Sequence, residues 1–186
     1  RRDYQRKGFT FPRYADVNSY SVGFNMLDPL LGGGDTAEGK AQARKLRQAI
    51  TIAIDWDEYS KIFPKKGGQT AMSPLPAGIP GSREGTPEGI NPVTHKLDGD
   101  KAVRRPIEDA KKLMAEAGYP NGRDAKTGKP LVVNYDVYYP ATPERKPEID
   151  WMVRQFAKID IQTEVRATDN NQFQDKVRKN KHQMFW

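Results

Sequence analysis

The stretch Leu131–Ala167, LVVNYDVYYPATPERKPEIDWMVRQFAKIDIQTEVRA, predicts the class of the fold. It begins with the β-branched and aromatic run Leu131–Tyr139, which is typical of a strand. The segment Glu144–Ile159 follows with apolar residues at helical spacing, and Ile161–Ala167 is strand-like again. Two strands joined through a helix pair in parallel, with a right-handed connection. We therefore predict an α/β fold, in which a mixed sheet is flanked by helices.

Further elements are predicted on both sides of this unit, within a single domain over residues 1–186. In chain order they are an extended segment Arg13–Met26, helices Glu38–Asp55 and Trp56–Phe63, a long Gly- and Pro-rich loop Lys65–Asn91, a helix from Pro106 to Gly118, a helix Asn170–Lys179 and a strand His182–Trp186. The helix Glu38–Asp55 is the clearest, because its apolar residues recur at i, i+3, i+4, i+7 and i+8. Asp35 and Glu38 have the spacing of a capping box at its start.

The charge of the chain leaves two interpretations open. Its net charge is +7, but 24 acidic residues are interspersed among 31 basic ones, which favours an ordinary solvated surface. The alternative is a nucleic-acid-binding module, whose best basic patch is the run Lys176, Arg178, Lys179 and Lys181. The absence of cysteine excludes disulfides and thiolate chemistry. No apolar run reaches the length of a transmembrane helix.

The stretch Gly32–Asp55 comes close to a phosphate-binding loop. Gly34, Gly39 and Lys40 have nearly the required spacing, and an apolar run ending in an acid follows. However, Ala41 stands where the loop needs a hydroxyl group to hold magnesium. The apolar run also continues the helical stripe, whereas the acid partner of such a loop should end a buried strand. We therefore interpret this stretch as a glycine-rich approach to a helix.

The remaining chemistry in the sequence is sparse. His95 and His182 are the two histidines, and two unlinked histidines rarely make a metal site, so we expect both to be surface residues. Trp56 and Trp151 lie on or beside helix stripes and are expected to pack in the core or at its rim. No nucleophile motif is present. We predict no enzyme activity, no metal site and no cofactor.

Six segments in order resemble the bacterial extracellular solute-binding proteins of family 5, the peptide-type receptors of ABC importers. They are FNMLDP (24–29), KLRQAITIAIDWDEYSKIF (45–63), SPLPAGIPG (73–81), IEDAKKLMAEAGYPNG (107–122), GKPLVVNYD (128–136) and WMVRQFAKIDIQTEVRATDNNQFQDKVRKNKHQMFW (151–186). The resemblance covers nearly the whole chain. It implies one lobe of a type II periplasmic-binding-protein-like clamp, in which two lobes enclose a ligand and no bond is broken.

The resemblance also carries expectations about partners and extent. It implies a peptide or other small-molecule ligand, an ABC permease in the membrane as partner, no nucleic acid, and a periplasmic or lipid-anchored extracellular location. Nickel chelates, haem, sugars and opines are alternative ligand classes within the family. The chain is expected to be a fragment covering most of the distal lobe, without the first lobe and the C-terminal return segment.

The resemblance finally implies a set of ligand-binding residues. On the helix after the last full strand, four residues match positions that line the pocket of peptide receptors: Asn170, Gln174, Val177 and Arg178. A helix N-terminus and an arginine could meet the backbone or the carboxylate of a peptide. Trp186 is either a wall of the cleft or a core residue. Asp160 stands where the family often has glycine, which implies a left-handed backbone there.

Overall fold

The computed structural model describes residues 2–12, 17–64 and 68–186. These residues form helices α1 (Arg2–Arg6), α2 (Pro29–Gly32), α3 (Ala37–Ala53), α4 (Trp56–Ile62), α5 (Ile107–Glu116), α6 (Lys146–Ala157) and α7 (Asn170–Arg178), and strands β1 (Gly23–Phe24), β2 (His95–Asp98), β3 (Lys101–Arg104), β4 (Val132–Val137), β5 (Gln162–Ala167) and β6 (Met184–Phe185). Short 3-10 turns lie at Pro87–Gly89 and Pro120–Gly122.

The predicted strand–helix–strand unit is confirmed. Strands β4 and β5 pair in parallel from Val132 with Gln162 to Val137 with Ala167, and α6 connects them. Asp160, in the link between α6 and β5, has a φ of 61°, so the left-handed backbone expected there is also confirmed. This unit forms one half of a four-stranded sheet.

The other half of the sheet comes from β1, which follows α1, and from β6, which ends at Phe185. The strand order is β1-β6-β4-β5, so β6 lies between the first strand and β4. Strand β6 is parallel to β4 and antiparallel to β1. The sheet is therefore mixed and is flanked by helices, as the sequence predicted.

The two faces of the sheet carry different helices. Val133, Tyr135 and Val137 of β4 are buried in the core on the α6 face, where the ring of Tyr135 lies 6.0 Å from that of Phe156. Alternate residues along a strand point to opposite faces. The side chain of Asp136 therefore points to the other face, where its carboxylate accepts a hydrogen bond from Lys176 of α7. The helices that follow β4 and β5 thus cover opposite faces of the sheet.

Helices α3 and α5 complete the core. The predicted stripe of α3 is confirmed, because Leu46, Ala49, Ile50 and Ala53 are all buried. Helix α5 ends as predicted at Gly118, whose φ is 91° and whose amide donates to the Ala115 carbonyl. The next amide, of Tyr119, donates to the Met114 carbonyl, which completes the two-bond arrangement of a glycine-terminated helix.

Two details of the predicted elements differ in the structure. Thr36, not Asp35, caps α3, since its side chain accepts the amide proton of Gly39. Among residues 17–26 of the predicted extended segment, only Gly23–Phe24 forms a strand, which pairs with β6. The part of that segment at residues 13–16, and the start of the predicted loop at residues 65–67, lie outside the described residues.

A hairpin of β2 and β3 was not predicted. Asp98 pairs with Lys101 around Gly99, which has a φ of 58°. The guanidinium Nη2 of Arg104 donates to the carbonyls of Ile52 and Ile54, at 2.5 and 2.7 Å. The hairpin is thereby fastened to the last turn of α3.

The prediction that both histidines are surface residues was wrong. His95 is 3% exposed and shares a 2.9 Å hydrogen bond with the Thr94 hydroxyl through Nδ1. Burial lowers the pKa of His95, and the nearby charge of Arg104 lowers it further. His182 is 7% exposed and its ring meets Phe185 edge-on at 5.0 Å. Both rings therefore take part in packing.

Candidate functional site

The carboxyl ends of three parallel strands meet at one edge of the sheet. Tyr138 follows β4, Thr168 follows β5 and Trp186 follows β6. Two backbone hydrogen bonds join these ends: Thr168 N–H donates to the Val137 carbonyl at 3.2 Å, and Trp186 N–H donates to the Asp136 carbonyl at 3.3 Å. Ligands of open α/β sheets bind outside the carboxyl ends of the strands, where consecutive connections go to opposite faces. This edge is therefore the candidate site.

Helix α7 starts at this edge and places the predicted residues along its length. Asn170 lies in its first turn, at the edge, whereas Arg178 is its last residue. Asn170, Gln174 and Arg178 are exposed and follow one another at intervals of four, so they form one stripe on the helix. Val177 is half-buried beside this stripe. The helix thus brings the four predicted residues onto one side.

The first amides of α7 already have a partner within the chain. Asp169 caps the helix, and its Oδ1 accepts the amide protons of Asn171 at 2.9 Å and Gln172 at 3.1 Å. A capping carboxylate uses donors that a ligand anion would need and adds negative charge at the same place. A contact between α7 and a ligand would therefore come from its exposed side chains and not from its N-terminal amides.

Trp186 lies on the other face of the sheet from α7. It belongs to an aromatic cluster of five rings: Trp56, Tyr59, Phe63, Trp151 and Trp186. The Trp186 ring lies 5.5 Å from both Trp56 and Tyr59, and Trp151 is fully buried behind them. Trp186 and Trp56 remain half-buried and reach the surface at the edge. The structure therefore separates Trp186 from the α7 stripe by the thickness of the sheet.

A polar network beside the aromatic cluster was missed by the sequence reasoning. The buried carboxylate of Glu148 accepts the hydroxyl proton of Tyr59 at 3.1 Å and lies 3.5 Å from Arg145 Nη1. The Arg145 guanidinium lies 4.8 Å from the centre of the Tyr139 ring. Burial raises the pKa of Tyr139 to about 12, with Glu148 as a further cause, so its hydroxyl stays neutral. The sequence did offer one signal for this network: Tyr139 stands at the end of the predicted strand Leu131–Tyr139.

Half of the basic patch proposed for nucleic acid is engaged in ion pairs. Lys176 binds Asp136 at 2.8 Å, and Lys179 binds Asp175 at 2.8 Å. These two of the four basic residues therefore have a carboxylate partner within the chain. Nothing in this arrangement favours nucleic-acid binding.

The resemblance to a phosphate-binding loop is not supported by the structure. Lys40 lies in the first turn of α3, and Ile50 continues the same helix. The residues that lead directly into Lys40 belong to α2, its turn and the start of α3, not to a buried strand. Asp55 caps α4 by accepting the Glu58 amide proton. The glycine-rich approach to a helix is confirmed.

The candidate edge is accessible to solvent, since Tyr138 is 46% exposed, Asn170 is exposed and Trp186 is half-buried. A cavity of about 100 Å³ lies between α2, α3 and α5, and one of about 380 Å³ lies among residues 72–92 of the long loop. Neither contains a predicted site residue. Across the described ranges, no group of three or more His, Asp or Glu side chains is placed to hold a metal ion, and no helix is long and apolar enough to span a membrane. A ligand at this edge needs a second surface to enclose it.

Comparison with known proteins identifies related sequences and folds. Residues 2–186 match the family model of the bacterial extracellular solute-binding proteins, family 5 Middle. No curated protein matches this sequence. Among solved structures, the ABC transporter-associated periplasmic binding protein DppA from Helicobacter pylori, in complex with the peptide STSA, is 19% identical with a TM-score of 0.59, over 88% of this chain and 25% of that one.

Two further structures share the fold. The oligopeptide-binding protein AppA from Bacillus subtilis, in complex with a nonapeptide, is 18% identical with a TM-score of 0.58. NikA from Brucella suis, in complex with Fe(III)-EDTA, is 16% identical with a TM-score of 0.59. Each match covers 88% of this chain and 29% of the other. The chain thus has the fold of part of a periplasmic binding protein and spans between a quarter and a third of the length of these proteins.

Proposed function

Because this chain belongs to the bacterial extracellular solute-binding proteins of family 5, we propose that it forms the distal lobe of a receptor that captures oligopeptides or similar solutes for an ABC importer. The first lobe and the return segment belong to the rest of that receptor. The receptor acts in the periplasm, or on a lipid anchor outside a Gram-positive cell, and delivers its ligand to a membrane permease. Its task is binding, without a chemical step.

One observation carries this proposal: the open edge at the carboxyl ends of β4, β5 and β6, in a chain that matches the family over residues 2–186. Such an edge needs a second wall, and a partner lobe supplies one. Closure of two lobes around a ligand shifts the population from open to closed states. Peptides are the ligand class proposed here because DppA and AppA are solved with peptides.

The test of the proposal is a binding screen on the receptor that contains this lobe. Isothermal titration with a panel of di- to nonapeptides is compared with titration of nickel–histidine and Fe(III)-EDTA complexes. We expect peptides to bind and to raise the thermal midpoint of unfolding. Binding of a chelate alone would keep the receptor role and replace the ligand class. Binding of none of these ligands, together with salt-dependent binding of DNA, would contradict the proposal.

A matched pair of variants tests the contribution of α7. Gln174 lies on the stripe with Asn170 and Arg178, whereas the exposed Gln172 lies outside it on the same helix. Loss of one hydrogen bond to ligand weakens binding by roughly three- to tenfold. We expect this loss for Gln174→Ala and no change for Gln172→Ala, measured with the best peptide of the screen. Equal affinities of the two variants would show that the stripe on α7 does not contact the ligand.

A further inference from the structure

We propose that the buried ion pair between Asp136 and Lys176 is a positioning device that fixes α7 on the sheet and so orients its exposed stripe. Its consequence for ligand binding rests on the proposed function. The claim that it positions the helix rests on the geometry alone. Neither member of the pair belongs to the stripe, so the pair would act on the ligand through the helix.

The carboxylate of Asp136 is in an unusual place for a charge. Its side chain is 0% exposed, in β4, the strand between β6 and β5. Oδ1 accepts a proton from Lys176 Nζ at 2.8 Å, whereas the buried Oδ2 has no hydrogen-bond partner in the described part of the chain. Lys176 keeps 27% of its side chain exposed. A single cation therefore compensates a fully buried anion.

Helix α7 has few other anchors on the sheet. Phe173 is its one fully buried residue, and the Phe173 ring lies 6.0 Å from Tyr138 and 5.8 Å from Phe185. A helix turns by about 100° per residue, so Phe173 and Lys176 share the face that meets the sheet. Gln174 and Arg178, both exposed, then lie on the side of the helix that faces away from the sheet. Burial of apolar surface is non-directional, whereas the hydrogen-bonded ion pair adds a second, directional contact that fixes the rotation of α7.

Stability is a poor explanation of this pair. Replacing both members of a buried ion pair with apolar residues is often neutral or stabilising, whereas removing one member is strongly destabilising. The best-attested use of a buried charged group is to select one arrangement among several. The other ion pair of α7, Lys179 with Asp175, lies within the helix and both side chains are more than half exposed. That pair cannot fix the helix relative to the sheet, which makes it a matched control.

Hydrogen exchange of the α7 amides, measured beside urea unfolding, tests the positioning role. The variants are Lys176→Met, the double variant Asp136→Val with Lys176→Met, and the control Asp175→Asn with Lys179→Met. We expect Lys176→Met to lower global stability and the double variant to recover most of it. In the double variant the amides of residues 171–179 should still exchange roughly tenfold faster than in the unmodified chain, because local opening no longer breaks the pair.

Unchanged α7 exchange in the double variant, at recovered stability, would overturn the proposal, as would equally fast exchange in the control. The single variant keeps the test informative if the double variant does not fold, since it must loosen α7 more than the rest of the sheet.

A second arm uses the complete receptor and the tripeptide Ala-Ala-Ala as probe. We expect the double variant to weaken binding by roughly tenfold and the control to leave it unchanged. If the receptor binds no peptide, the proposed function is contradicted. The exchange experiment then decides alone whether the ion pair positions α7.

Discussion

At Gly122 the backbone leaves no room for a side chain. Its φ is 67°, and a Cβ atom there would lie 2.0 Å from the carbonyl oxygen of Asp160. Asp160 is itself left-handed, so two turns with special backbone geometry touch where the chain approaches β4 and β5. Gly128 offers a comparison, since its φ is 69° but nothing lies within 4 Å of the corresponding position.

We expect Gly122→Ala to destabilise the chain more than Gly128→Ala. Both substitutions place alanine in the left-handed region, which costs about 1–2 kcal/mol. Only Gly122→Ala adds a backbone overlap, which costs about 1–3 kcal/mol more. Urea unfolding of both variants measures the difference, and equal losses would show that Asp160 can move away.

His95 should make stability depend on pH. Its pKa is lowered in the folded chain, chiefly by burial, so the unfolded chain binds a proton more readily. Stability is therefore unaffected by this group well above the unfolded pKa, and falls as pH drops below about 6.5, by at most about 1.4 kcal/mol per pH unit. Urea unfolding between about pH 7.5 and pH 5 should show a smaller decrease for His95→Gln than for the unmodified chain. Parallel curves would rule out His95 as the source.

The conformation of a single residue was predictable where it depends on the local backbone alone. The left-handed conformation of Asp160 follows from a position where glycine is common, and the end of α5 follows from Gly118. The burial of His95 was not predictable, because His95 pairs with Arg104 in a hairpin that the sequence reasoning did not find.

At the scale of elements, one arginine joins the hairpin to the first long helix. Arg104 bonds two carbonyls at the end of α3 and lies 3.6 Å from the Asp55 carboxylate. A helix C-terminus has unsatisfied carbonyls and a partial negative charge. We expect Arg104→Met to lower the free energy of unfolding by roughly 2–4 kcal/mol, since charged hydrogen bonds contribute about 1.5–3 kcal/mol each.

The neighbouring arginine is the control for this prediction. Arg105 bonds the Pro92 carbonyl at 3.2 Å and pairs with Asp109 at 3.3 Å, in a more exposed position. Such surface pairs contribute about 0–1 kcal/mol. Urea unfolding of Arg105→Met should therefore show a small loss. A similar loss in the two variants would mean that the bonds of Arg104 are replaced by water.

Elements were predictable where a long periodic pattern fills them. Helices α3 and α6 and strands β4 and β5 have enough residues for periodicity to show. Strand β1 has two residues, and the hairpin exposes most of both strands, so neither has an alternating pattern. The two-residue loop Gly99-Asp100 was a usable hairpin signal that the sequence reasoning did not take up.

At the scale of the whole molecule, the candidate site depends on strand order. Asn170 and Trp186 both lie at the carboxyl edge, but on opposite faces, because β6 is the neighbour of β4 on the side away from β5. No local pattern in the sequence states that order. The helix residues could be proposed from resemblance, whereas the cluster of Trp186 with Trp56 and Tyr59 joins parts of the chain far apart in sequence and needed the fold.

The sheet should also depend on β6 far more than on α1. A chain ending at Lys181 lacks Met184, which is fully buried, and leaves β1 without its partner. We expect it to lose cooperative thermal unfolding, measured by circular dichroism. Removal of residues 1–12, whose aromatic side chains Tyr4, Phe9 and Phe11 are exposed, should leave the transition nearly unchanged. The reverse result would mean that the core is complete without β6.

The place of β6 between β1 and β4 also determines when the sheet can be completed during protein synthesis. During translation, Gly23–Phe24 leaves the ribosome long before Met184–Phe185, and waits unpaired while about 160 further residues are added, at roughly 5–20 residues per second. For those seconds the nascent chain holds an open strand edge and the side of the core that Met184 later covers. A chaperone that shields apolar surface would act in this interval, and the arrival of β6 would release it by completing this sheet.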